Sequence, residues 1–348
     1  MTNDRYTEDW LEREFVGYGF DQPDPKWPGG GKICVSFVVQ YYMGAELNIL
    51  EGDPTFCSEY LEIPPRAPPT AMRSEASEMM YEYGAREGIA RLLDIFNDSC
   101  VLGLVWSLIV PQLTVTRALE KAPYWVKPIL DSGAELSCGG HRYRDNLYVD
   151  PEEEDQLIGK SIDVLQELTG DKTLPKGWLV ERRSNLSTKL YSLTHKERGL
   201  PLLYSSDSCA DDVPYWIPSP TKEENKGLLM IPFSYDCSDL RFKMKGSGFA
   251  SPKNYFLHLK DTFDCLYEEG EAGEAKMMTV LLHPHIIGRP NRAFWLEEFI
   301  KYVQSKPDAW VARRQDIAEH WTKAFPYDSK TAFGQTKVPE CAQISIPM

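Results

Sequence analysis

Short apolar runs alternate along this chain with longer amphipathic stretches, and that alternation restricts the fold more than any other feature. The runs are "ICVSFVV" (33–39), "CVLGLVWSLIV" (100–110), "AELSC" (134–138), "GWLVE" (177–181), "PLLYS" (201–205), "LLMIPFSY" (228–235) and "MMTVLLH" (277–283). Strands that are apolar at every position, not at every second one, are buried on both faces, as in a parallel sheet covered by helices. The stretches 83–98, 150–170, 251–270 and 289–306 carry helical periodicity. The second begins with Asp150-Pro151, a cap followed by proline at the first helical position, and stops at Gly170. Seven such runs predict an α/β fold: a closed or nearly closed, distorted (β/α) barrel of about seven strands.

Residues 1–328 are expected to form a single domain. Residues 44–80, with Pro64, Pro65, Pro68 and Pro69, read as a long excursion between the first strand and the first helix. Residues 329–348 lack periodicity and read as a loosely ordered tail. The 38 basic against 52 acidic residues give a net charge of −14, which argues against nucleic acid or an anionic membrane as partner. No apolar run is long enough for a membrane span. The polar start "MTNDRYTEDWLEREF" does not resemble a signal peptide. The eight cysteines stand singly, without a CxxC pair, and read as reduced thiols. A cytoplasmic location is expected.

In a β/α barrel the working residues follow the strands. That rule selects Tyr41 and Tyr42, Trp106, Gly139 to Arg142, Glu181 and Arg182, Asp207, Asp236, and His283 with His285. His283 and His285 have the spacing of a metal pair on an extended strand end, but no third ligand stands out and no metal is expected. Asp207, at a strand end beside Tyr215 and Trp216, is a better acid–base candidate than Asp211 or Asp212, which suit a turn. Glu78, Glu82 and Arg86 fall on one helix face, where a surface ion-pair ladder is an equal reading. No P-loop, GxGxxG, HExxH or GxSxG occurs, and Gly29-Gly30-Gly31 precedes its strand instead of following it, so no nucleotide cofactor is indicated.

The stretches "VGYGFDQPDPKWPGGGKICVSFVVQYYMGAE", "YEYGAREG", "LYSSDSCADDVPYW", "DLRF", "LKDTFDCLYEEG", "GRPNR" and "WVARRQDIAEHW" resemble the polysaccharide-deacetylase-like (NodB homology) family, nearest to its metal-independent, PuuE-type allantoinase branch. The resemblance spans about residues 15–325. It implies a distorted NodB-type barrel, assembly as a homo-oligomer, and a site built from Glu78, Tyr81, Glu82, Arg86, Asp207, Arg241, His283 and Arg289. Against the family's pattern, Tyr42 stands where a glutamate is expected, Gly139 where a histidine is expected, and Glu181 where a glycine is usual.

Two losses among water-activating groups, with Tyr42, Met43 and Trp106 added, lead to an expectation of non-hydrolytic chemistry. The chain would fold a small hydrophobic metabolite for cyclisation, isomerisation or a pericyclic step, in secondary metabolism. Tyr42, His141, Glu181, Asp207 and His283 would be catalytic. Glu78, Tyr81, Glu82, Arg86, Trp106, Arg182, Trp216, Arg241, His285 and Arg289 would bind substrate. The alternative keeps the family's chemistry, hydrolysis of a C–N bond in a ureide, cyclic amide or N-acetyl group. A third reading is a ligand-binding barrel without turnover.

Overall fold

The computed structural model describes residues 4–7, 14–63, 72–101, 111–244, 246 and 248–333. β1 (Ile33–Tyr41) is buried at all nine positions, as its unbroken apolar run requires. One edge of β1 pairs in parallel with β8 (Lys276–Leu282), from Ile33 opposite Lys276 to Val39 opposite Leu282. The other edge is shared by two strands. β9 (Ala309–Val311) takes the lower part, Ile33 to Val35, and β2 (Pro111–Thr114) takes the upper part, Val39 to Tyr41. From β2 the sheet continues through β3 (Glu135–Cys138), β4 (Gly177–Trp178), β5 (Tyr204–Ser205) and β7 (Gly227–Met230), all parallel, and ends at the antiparallel β6 (Tyr215–Pro218).

These nine strands exceed the seven expected. β6 and β9 escaped notice because "YWIP" ends in proline and "AWV" is three residues long, too short for a period to register. The run at 100–110 lies, from residue 102 onward, outside the described residues, and the strand that is described there begins at Pro111.

Curvature brings β8 beside the segment that follows β7, and side chains bridge the gap. From α10 (Arg314–Ala324), the buried Arg314 donates through Nη1 to the carbonyls of Ile231 (2.8 Å) and Pro232 (2.9 Å). Its Nη2 donates to Thr279 Oγ1 at 2.9 Å. Among the described residues no strand ladder joins the two edges, so the barrel is distorted and its seam is held by a guanidinium.

The helices form where their caps permit. Asp150 caps α5 (Pro151–Thr169) by accepting from the amides of Glu152 and Glu153, and Gly170 ends it in the left-handed region. The excursion ends earlier than expected, at Ser74, which accepts from Ser77 N and starts α1 (Glu75–Tyr83). A π-turn over Gly84–Gly88 leads into α2 (Ile89–Val101). Its glycines answer a close approach: a Cβ on Gly84 would lie 2.7 Å from the His285 backbone, and one on Gly88 would lie 2.2 Å from Pro284 O. The short α8 (Pro284–Ile287) is thereby packed backbone to backbone against the π-turn, which fixes the loop carrying His283.

Candidate active site

The C-terminal tips of β1, β4 and β8 converge on one buried polar group. His283 directly follows β8 and is fully buried, as is Asp239, which follows β7. Asp239 Oδ2 accepts from the His283 backbone amide at 2.8 Å, and Oδ1 lies 2.5 Å from His283 Nδ1. Two contacts to one carboxylate fix the ring and assign the Nδ1 proton to Asp239's side, leaving Nε2 as the working nitrogen. Nε2 lies 3.2 Å from Gln40 Oε1 on β1. A proton on Nε2 would therefore have an acceptor in the Gln40 carbonyl.

Glu181 completes the group from the tip of β4. Tyr143 donates its hydroxyl to Glu181 Oε2 at 3.3 Å. Burial pushes the Glu181 carboxyl above the usual carboxylate range, opposed by the positive charge of His283 and by the Tyr143 and Gln40 contacts. The Gln40 amide is near enough to act on Glu181, although its Nε2 is buried without a formed hydrogen bond. Beside Glu181 lies a cavity of about 20 Å³, lined also by Gln40, Gly139, Arg142, Tyr143 and Arg182. A space of that size holds about one water.

Tyr42 is wholly buried. Its ring stacks on Tyr143 at 3.8 Å and 8°, and it meets the rings of His283 and His285 edge-on at 5.8 and 5.5 Å. Its hydroxyl has no hydrogen-bond partner, and burial together with the Glu181 charge holds it well above the usual phenol range. Tyr42 and Met43 therefore belong to the core and do not line an apolar guest pocket, contrary to the expectation from sequence.

The other candidates are placed elsewhere or are already committed. His141 turns away to Thr116 Oγ1 (3.0 Å), its pKa lowered to about 4 by burial. Asp207 is held by Val180 N (2.6 Å) and Tyr191 Oη (3.3 Å), tying β4 to β5, and burial raises its pKa. Tyr81 donates to Glu59 O at 2.6 Å, and Arg182 grips the Glu59 carboxylate, so both hold the excursion. Glu78 is paired with Arg73 and Asn48, while Glu82 and Arg86 form an exposed i,i+4 pair. Arg241 pairs with Asp236, and Arg289 lies over Tyr83 at 3.6 Å near Glu62. Trp216 donates to Phe325 O on the far side of the sheet, and Trp106 lies outside the described residues. His285 is buried with both ring nitrogens unbonded, and burial and then His283 push its pKa well below the usual value.

Sequence reasoning missed Gln40 and Asp239 and named Asp236 in place of the latter. Asp236 is exposed and is paired with Arg241 and with His258 at 2.9 Å. The available signal was "SDLRF": Ser238 caps the short 3₁₀ turn Asp239–Lys243 and so turns Asp239 inward. Among the described residues, no three His, Cys, Asp or Glu side chains are grouped to hold a metal. The His283 and His285 rings stand 6.2 Å apart at 86°.

Fold and site together define a NodB-type α/β barrel with an Asp–His pair at its strand tips. A protein of Schizosaccharomyces pombe named a polysaccharide deacetylase is 35% identical over 309 residues, covering 86% of this chain and 93% of its own length. A Pseudomonas aeruginosa crystal structure named a polysaccharide deacetylase superposes with a TM-score of 0.82 at 36% identity, covering 91% of this chain and all of its own. The crystal structure of PuuE allantoinase matches equally, with a TM-score of 0.82 at 35% identity over 92% of this chain and all of its own. No family model matches the chain. The chain belongs to the polysaccharide deacetylase family, close to its PuuE branch.

Proposed function

We propose that this protein hydrolyses a C–N bond of an amide or ureide, with Glu181 as base and His283 as acid. The carrying observation is the buried Asp239–His283 pair facing Glu181 beside a water-sized cavity. The carboxylate absent at Tyr42 is supplied from across the mouth, because Glu181 stands where the family's usual glycine would leave room. Glu181 takes a proton from water, whose oxygen attacks the carbonyl carbon. His283 Nε2 then returns a proton to the departing nitrogen, and Asp239 steadies the imidazole throughout. A non-hydrolytic cyclase finds less support, since the relatives at 35% identity are named for deacetylase and allantoinase chemistry.

The test is a panel of N-acetyl compounds, cyclic imides and ureides, assayed for acetate, ammonia or ring-opened product. Glu181→Gln and His283→Ala are each expected to lower kcat/KM by about 10²–10⁴-fold. The wild-type rate should fall as pH drops through the raised Glu181 pKa, and Glu181→Gln should lack that limb. Turnover undiminished in both variants would remove the assignment.

A further inference from the structure

The excursion after β1 carries several acidic residues that meet basic partners on the segments following the strands. Glu51 pairs with Arg117 at 2.9 Å and Lys121 at 2.8 Å, and Asp53 pairs with Arg142. Glu62 meets Arg292 at 2.6 Å and Lys243 at 2.8 Å. Most of these pairs sit at the rim. Arg142, paired with Asp53, and Arg182, paired with Glu59, both line the cavity next to Glu181, and Arg182 also lies 5.1 Å over the Tyr143 ring.

Both terminal nitrogens of Arg182 reach the Glu59 carboxylate, the fork-to-fork contact that best recognises a carboxylate. The same cavity is lined by Arg142 and Arg144, and the Arg144 Nε is buried without a partner. Among the described residues, Glu181 is the only carboxylate in that lining. Each guanidinium already holds a carboxylate, Asp53 on Arg142, Glu153 on Arg144 and Glu59 on Arg182, so this lining is built to hold carboxylates. The Glu59 side chain is 43% exposed, so exchanging it for another carboxylate uncovers no packed core.

We propose that Arg182 is the seat for a substrate carboxylate, and that Glu59 occupies this seat in the free protein. The substrate class is then a small acid with its scissile amide next to the carboxylate, such as an N-acyl or N-carbamoyl amino acid. The proposal rests on the hydrolytic reading for the identity of the scissile bond, but the carboxylate seat is measurable without turnover. Glu59 lowers affinity for such an acid by the fraction of molecules in which it holds Arg182.

The test uses the full chain in the Glu181→Gln background and compares binding of N-acetylglycine with its uncharged partner, N-acetylglycinamide, by calorimetry. Glu59→Gln is expected to tighten the acid about tenfold and leave the amide unchanged. Arg182→Met, checked for an unaltered melting temperature, should erase the preference for the acid, and Arg182→Lys should restore part of it. Equal tightening of both probes, a preference that survives Arg182→Met, or no binding of either probe to Glu59→Gln would overturn the proposal. A clear acid preference in a protein without hydrolytic activity would instead retire only the hydrolytic reading.

Discussion

Of the buried polar groups in this barrel, the one at its seam and the one at its mouth are built on opposite terms. At the seam, Arg314 gives its terminal nitrogens to two backbone carbonyls and a threonine, and Tyr204 donates to Glu135 at 2.7 Å while Gln315 N donates to the other oxygen at 2.8 Å. Most partners there are backbone groups that neither titrate nor move. At the mouth, every partner of His283 Nδ1, His283 Nε2 and Glu181 is a side chain, and the hydroxyl of Tyr42 and the Nε2 of Gln40 are left unpaired. Burial of charge is common to both. Each group leaves a donor unpaired, Arg314 Nε at the seam and Tyr42 Oη with Gln40 Nε2 at the mouth. At the mouth, however, Gln40 lines an open space, and that is where a reacting molecule finds a donor.

The largest effect on stability is expected at the seam. Arg314→Met would strand the carbonyls of Ile231 and Pro232 and remove the bridge between the β7 and β8 sides, costing about 3 kcal/mol. Denaturant unfolding measures it. A variant as stable as the wild type would show that the seam's hydrogen bonds only balance the burial of the guanidinium, whose pKa burial lowers to about 10.

Next comes a pH effect remote from both groups. Trp178 Nε1 donates to His195 Nε2 at 2.8 Å, and His195 Nδ1 faces Pro201 O at 3.0 Å, so the buried ring is the neutral tautomer with its proton on Nδ1. Burial lowers its pKa to about 4. The folded state thus binds fewer protons than the unfolded one between pH 4 and about 6.5. The stability His195 contributes is intact above that window and is lost as pH falls through it, by about 3 kcal/mol for the whole shift. His141, also lowered to about 4, acts in the same window. Melting curves of His195→Gln between those pH values should fall less steeply than the wild type's, and an unchanged slope would exclude the tautomer.

Much of the fold could be read from sequence because burial on two faces leaves a composition signature, as in β1 and β8, and because Asp150 and Gly170 mark the ends of α5 by their own backbone chemistry. Of the four residues of the proposed site, two were named from sequence. Glu181 and His283 lie at strand ends and belong to residue types that attract notice. Gln40 looks like an ordinary interruption of an apolar strand, and the choice between Asp236 and Asp239 depends on which way a 3₁₀ turn faces. His141 and Asp207 drew attention for the same reasons as Glu181 and His283. Only the third dimension shows that one packs against Thr116 and that the other is occupied by Val180 N.

A smaller effect should connect the mouth to the helix behind it. In Gly84→Ala the new methyl would enter the space held by the His285 backbone at 2.7 Å, and α8 would have to move. The expected loss is about 1–3 kcal/mol of stability. Because α8 carries the chain away from His283, kcat should fall more than KM rises. A change in stability with no change in kcat would show that the Asp239 contacts alone position the ring.

The smallest expected stability change is the one that best separates mouth from seam. Tyr42→Phe removes a hydroxyl that has no partner, and deletion of an unpaired buried polar atom should leave stability within about 1 kcal/mol of wild type, or raise it. If the hydroxyl serves only to fill space, turnover will be untouched as well. Another use is open to it, since Tyr42 packs edge-on to His283, its hydroxyl is unpaired, and burial first, then the Glu181 charge, keeps it protonated. A donor held ready in a dry site strengthens as negative charge develops on a carbonyl oxygen, and losing one such donor costs about 10²–10³-fold in kcat. Melting temperature and kcat measured on this one variant therefore move independently. A stable Tyr42→Phe with kcat reduced on that scale would identify the tyrosine, at the position where a carboxylate is expected, as a donor to the transition state.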